Sequence, residues 1–127
     1  MSLRTPLGRV LGKGSAKEGV HHWWVQRVTS VALIPLTVSF VVSLLALPGL
    51  DYASVHAWMH QPWTAILLVL FIWLACWHSK LGLQVVLEDY VHGGAKTLSL
   101  VLSTFAHTLI AAASIFAVLK VAFGTAT

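Results

Sequence analysis

His78 and the pair Asp89–Tyr90 are the residues of this chain best suited to chemistry. An imidazole can bind iron through one ring nitrogen while the other holds a proton. A phenol can donate a hydrogen bond to a carbonyl, and a carboxylate beside it can hold the phenol, a water or an arginine in place. In a helix the spacing joins the three. Eleven residues separate His78 from Asp89, close to three turns of about 3.6 residues, which puts them on one face. Tyr90 would then stand roughly 18 Å along the axis from His78. Gly82, one turn after His78 on that face, removes bulk where a flat cofactor could lie. An imidazole beside such a gap suits axial ligation of haem iron. The competing use of the same atoms is a histidine hydrogen-bonded to a neighbouring helix. Tyr90 could likewise be an interfacial anchor with a helix-end carboxylate beside it. The helix dipole disfavours a carboxylate there and asks for a positive partner.

These residues must be positioned by elements built for lipid. The chain has 127 residues, of which 57% are hydrophobic and 9% charged. A soluble domain carries about a quarter charged residues, so water is excluded as the main solvent. The net charge of +4 does not indicate nucleic acid, because the basic residues cluster at one end beside apolar runs, the pattern of membrane orientation. The single cysteine, Cys76, lies in an apolar run and can form no internal disulfide.

Three apolar segments separated by turn signals predict an all-α integral membrane protein with three transmembrane helices, over about 24–48, 63–91 and 98–123. Residues 1–22 form an amino-terminal arm in which Arg4, Arg9, Lys13 and Lys17 alternate with glycines, and residues 1–127 form one domain. Trp23 and Trp24 mark a membrane interface. Pro35 is expected to kink the first span. The loop between the first two spans has no Lys or Arg, and Pro62 suits the first turn of the second helix. His56 and His60, spaced i, i+4 in that loop, are read as solvated and not as a zinc site. Basic residues on the arm, Arg27 and Lys96 place the amino terminus on the cytoplasmic side and the carboxyl terminus on the periplasmic side. Three helices are few for a self-contained membrane machine, which implies a partner subunit.

Ionisable groups at membrane depth are functional candidates by default. Besides His78 they are Arg27, Lys80 and His107. Arg27 enters the first span on the side of Asp89, so the two could pair. Lys80 faces away from His78 by helical spacing and is expected either to snorkel to the cytoplasmic headgroups, the favoured reading, or to pair with another subunit. His107 lies about as deep as His78 on an antiparallel neighbour, so it is either a second iron ligand or a packed histidine.

The stretch His78, Gly82, Gln84, Asp89-Tyr90 resembles the signature of the small hydrophobic anchor subunit of succinate dehydrogenase, respiratory complex II. Gly19-Val20-His21, followed by Arg27 and Thr29, resembles the same family's approach to its first helix. The resemblance implies a bacterial inner-membrane anchor that is non-catalytic alone. It would bind haem b with His78 as one axial ligand, the other coming from a partner cytochrome b556-type anchor subunit. It further implies that Tyr90 hydrogen-bonds the ubiquinone carbonyl with Asp89 beside it, and that Arg27 and His21 lie near the haem propionates or the quinone. The implied partners are that cytochrome subunit, an iron–sulfur subunit and a flavoprotein subunit, which pass electrons from succinate to ubiquinone. The chain departs from the pattern at Lys80 and His22, and His107 falls outside it. A fumarate reductase anchor, and a structural or assembly membrane protein without cofactor, are the alternatives.

Overall fold

The structure is a computed structural model that describes residues 17–124. Among the described residues every regular element is helical. Helix α1 spans Lys17–Leu45, α2 Tyr52–Met59, α3 Pro62–Tyr90 and α4 Gly94–Phe123. Three of them, α1, α3 and α4, are long and apolar enough to cross a membrane. At about 1.5 Å per residue, the 29 residues of α3 extend roughly 44 Å, more than the hydrocarbon core requires.

The helix ends differ from the hydropathy boundaries for one physical reason. Hydropathy marks the part of a helix that lies in lipid, while the hydrogen-bonded helix runs on into polar turns. So α1 already includes Lys17 to His22, within the segment expected to be an arm, and α4 starts at Gly94 instead of near residue 98. The rest of the expected arm, residues 1–16, lies outside the described residues. Helix α1 is continuous through Pro35.

The loop after α1 holds an unexpected element, the short helix α2. Asp51 caps it, accepting from the Ser54 backbone N–H at 3.2 Å and from the Ser54 hydroxyl at 2.7 Å. Those bonds favour the charged form and hold the carboxyl below its ordinary pKa of 3.8. Pro62 occupies the first turn of α3, where its missing N–H costs nothing. At the other end, α3 and α4 join through Gly93, whose φ of +65° and ψ of −149° suit glycine alone. Lys96 Nζ then donates to the Glu88 carbonyl at 3.1 Å, satisfying an acceptor that the end of α3 leaves open.

Helix α3 is the centre. It packs against α1 on one side and α4 on another, α1 and α4 do not pack together, and α2 touches α3 and α4. The result is an open layer, not a closed bundle. A small core of Ala65, Leu68 and Val118, packed by Phe40, Trp58, Met59 and Ile72, sits at the α2 end. Phe40 stacks on Phe71 at 5.3 Å between centroids, fastening α1 to α3 there. Elsewhere large apolar side chains face outward: Ile34 is 65% exposed, Phe105 70% and Phe116 68%. Such a surface is unstable in water and fits lipid or another subunit.

Candidate cofactor site

His78 is held between α3 and α1 by two α1 side chains. Thr29 Oγ lies 3.0 Å from Nδ1, and the Gln26 amide nitrogen lies 3.3 Å from Nε2. Thr29 is the buried polar residue of this interface. Its hydroxyl proton is directed to the Val25 and Gln26 carbonyls, at 2.8 and 3.0 Å. With that proton on the carbonyls the oxygen offers lone pairs to His78, the arrangement that matches a ring protonated at Nδ1. Nε2 is left with a free lone pair, which the Gln26 N–H meets. This is the tautomer that binds a metal through Nε2 while the other nitrogen donates to a polar group.

The local sequence explains the arrangement. His22, Gln26 and Thr29 follow i, i+4, i+7 spacing and form one polar stripe along α1. Gly82 keeps α3 thin opposite that stripe: a Cβ placed there would be 3.5 Å from the Gln26 amide nitrogen. The gap expected over Gly82 thus lies against Gln26. Two polar atoms of the stripe, His22 Nε2 and Gln26 Oε1, are buried without a hydrogen-bond partner. Orphaned buried polar atoms are costly and collect at functional sites. Beside them His78 lines an open depression of about 420 Å³ with Ser30, Leu33, Ile34, Thr37 and Val38. An apolar wall, a correctly protonated imidazole and an open side fit a haem ligand.

The other sequence candidates are dispersed. Asp89 and Tyr90 end α3 as exposed side chains, with Tyr90 80% exposed. Arg27 lies over the Trp23 ring, 5.0 Å from its centroid, and no ion pair with Asp89 forms among the described residues. His21 is exposed on the first turns of α1. Gln84, part of the motif, donates to Glu88 at 2.8 Å.

His107 and His78 do not share a site. His107 Nδ1 lies 2.8 Å from the Ser103 carbonyl and so donates to it; Nε2 accepts from the Ser79 hydroxyl at 3.2 Å. The ring therefore fastens α4 to α3, and it lines a different depression, with Trp73, Trp77 and Lys80. Lys80 does not snorkel toward the Tyr90 end. Side chains on a helix lean toward its amino terminus, and Nζ lies over the Trp77 ring at 5.4 Å, deeper along α3. His60 is exposed, yet its Nδ1 lies 3.2 Å from the Val121 carbonyl and holds the end of α4.

Sequence reasoning did not find Gln26 and Thr29 as the partners of His78. The signal was their shared stripe on α1, but which face of α1 meets α3 is fixed only by packing.

Fold and site together define a multi-pass helical membrane protein with a hydrogen-bonded histidine at the joint of two spans. The succinate dehydrogenase/fumarate reductase transmembrane subunit family matches residues 1–120. The succinate dehydrogenase hydrophobic membrane anchor subunit of Paracoccus denitrificans is 29% identical over 120 residues, covering 94% of this chain and 93% of its own. That of Rickettsia conorii is 33% identical over 95 residues, covering 72% and 75%. That of Coxiella burnetii is 26% identical over 104 residues, covering 82% and 89%. The chain belongs to the succinate dehydrogenase/fumarate reductase transmembrane subunit family.

Proposed function

We propose that this chain is the hydrophobic anchor of a succinate:ubiquinone oxidoreductase in a bacterial inner membrane, holding haem b through His78 and forming part of the quinone-reduction site at Tyr90. The observation that carries it is the His78 imidazole, bonded through Nδ1 to Thr29 at 3.0 Å and lining an open depression between α1 and α3. The relatives' names favour succinate dehydrogenase over fumarate reductase.

Haem, when bound, supplies a one-electron carrier at this point of the membrane. His78 would be its ligand from this chain, and a partner anchor subunit would close the open side and supply the second. The remaining work belongs to the end of α3. Tyr90 donates its phenolic proton toward a quinone carbonyl, and Asp89 orients that phenol or a bound water. The exposure of both in the isolated chain fits a site completed by partners, since hydrogen bonds to a quinone gain strength where water is excluded. Arg27, in the third turn of α1 next to the Gln26 that meets His78, adds positive charge near the level of His78, where haem propionates or a reduced quinone would be stabilised. Lys96 at this end and the excess of basic residues in the amino-terminal part of the sequence support a cytoplasmic side for it, where iron–sulfur and flavoprotein subunits can dock.

Purification of the complex through this chain tests the assignment. Flavoprotein, iron–sulfur and second anchor subunits should co-purify, with succinate-dependent quinone reduction. Tyr90→Phe should lower quinone turnover by about 10²-fold or more, with succinate oxidation by artificial acceptors retained. Normal quinone turnover in Tyr90→Phe removes the phenol from the site, and co-purification of none of these subunits removes the assignment.

A further inference from the structure

We propose that Thr29 and Gln26 form a two-point holder for the His78 ring: Thr29 fixes which nitrogen faces the iron, and Gln26 caps that nitrogen until haem arrives. The proposal rests on His78 being the haem ligand and says how the haem-free chain keeps that ligand ready.

The two contacts have different strengths. The Thr29 bond is short, 3.0 Å, and its oxygen is fixed on a buried helix turn by bonds to Val25 and Gln26 carbonyls. It cannot rotate away without leaving the half-buried Nδ1 of His78 without this partner, which is costly. Gln26 meets Nε2 at the longer distance of 3.3 Å, from a flexible side chain whose own oxygen has no partner. One contact is an anchor and the other is a removable cap. Without the cap, the Nε2 lone pair would be an unsatisfied acceptor in an apolar wall. Without the anchor, the ring could turn or change tautomer and present a protonated nitrogen to the iron. Gly82 lets the Gln26 amide lie close to α3: a Cβ there would already stand in van der Waals contact with it, at 3.5 Å. Ligation at Nε2 requires the Gln26 amide to move aside, so haem binding breaks one hydrogen bond.

The two roles predict changes of opposite sign. Removing a metal ligand's hydrogen-bond partner weakens metal binding by about 10- to 100-fold; removing a neutral competing hydrogen bond strengthens it by about two- to tenfold. The test uses the whole complex assembled in haem-deficient cells, purified and titrated with hemin by Soret absorbance. Thr29→Val, close in shape, should bind hemin about 10- to 100-fold more weakly and shift the absorption bands of the haem it retains. Thr29→Ser should restore wild-type binding within about threefold. Gln26→Leu should bind about two- to tenfold more tightly, with intact subunit composition. Wild-type affinity and spectrum in Thr29→Val, alongside haem loss in His78→Ala, would overturn the anchor while leaving the ligand assignment standing. Weaker binding in Gln26→Leu would overturn the cap. Full haem binding in His78→Ala would remove the ligand assignment itself.

Discussion

Replacing His107 and Ser79, singly and together, separates a helix fastener from an iron ligand. The His107 ring donates from Nδ1 to the Ser103 carbonyl at 2.8 Å and accepts at Nε2 from the Ser79 hydroxyl at 3.2 Å. Only the second bond joins two helices. Interhelical hydrogen bonds in membrane proteins average about 0.6 kcal/mol and reach about 1.7 kcal/mol, because a separated helix finds other partners. The coupling energy of a Ser79→Ala, His107→Ala double-mutant cycle should fall in that range, a factor of about 3 to 18 in the folding equilibrium. His107→Ala alone should cost more than the coupling, since it also removes the ring from the depression it shares with Trp77 and Lys80. The assay is reversible unfolding of the purified complex in mixed detergent micelles, with the haem spectrum recorded on the same samples. Haem content should be unchanged in every folded variant. A coupling indistinguishable from zero would refute the fastener, and haem loss from folded His107→Ala would show that this ring, not a partner's, ligates the iron.

Two predictions concern the turns. Gly93→Ala meets no atom within 4 Å, so its whole cost is backbone strain at φ +65°, ψ −149°; it should destabilise by about 1–3 kcal/mol, seen as a lower melting temperature of the complex. Gly93→Asn should do no better, because that region of backbone space is closed to asparagine as well; wild-type melting in either variant would show that the α3–α4 turn is not built on this conformation. Asp51 has a folded pKa depressed by its Ser54 bonds, so its capping contribution is complete above the ordinary carboxyl value of 3.8 and is lost as pH falls through the lower folded value. Hydrogen exchange at the α2 amides, corrected for intrinsic rate, should therefore rise in that acid window and be fast at all pH in Asp51→Ala; an acid response surviving in Asp51→Ala would assign it to another group.

The sequence carried the three spans because a run of about 20 apolar residues has few other stable outcomes. It also carried the motif residues on α3, since His78, Gly82 and Asp89 share a face by helical period alone. It did not carry the partners of His78. Gln26 and Thr29 lie about 50 positions earlier in the chain, and their contact depends on how α1 rotates against α3, which periodicity leaves open. Lys80 shows the same limit from another side. Composition suggested a cation reaching for headgroups, whereas side-chain direction and the Trp77 face draw it deeper. Helix α2 was missed because eight residues of mixed polarity in a loop give no clear period, and its stability comes from the Asp51 cap and from Trp58 and Met59 on the core. The Arg27–Asp89 pairing was plausible by topology, but Trp23, one turn before Arg27 on the same helix, holds the guanidinium.

The central claim is that His78 ligates a b-type haem for the complex this chain anchors. The most direct measurement is the reduced-minus-oxidised absorption spectrum of the purified complex carrying wild-type chain or His78→Ala, with subunit composition verified in both. The wild type should show b-type haem bands, and His78→Ala should lose or strongly shift them while all subunits remain assembled. Unchanged bands in an intact His78→Ala complex would contradict the claim.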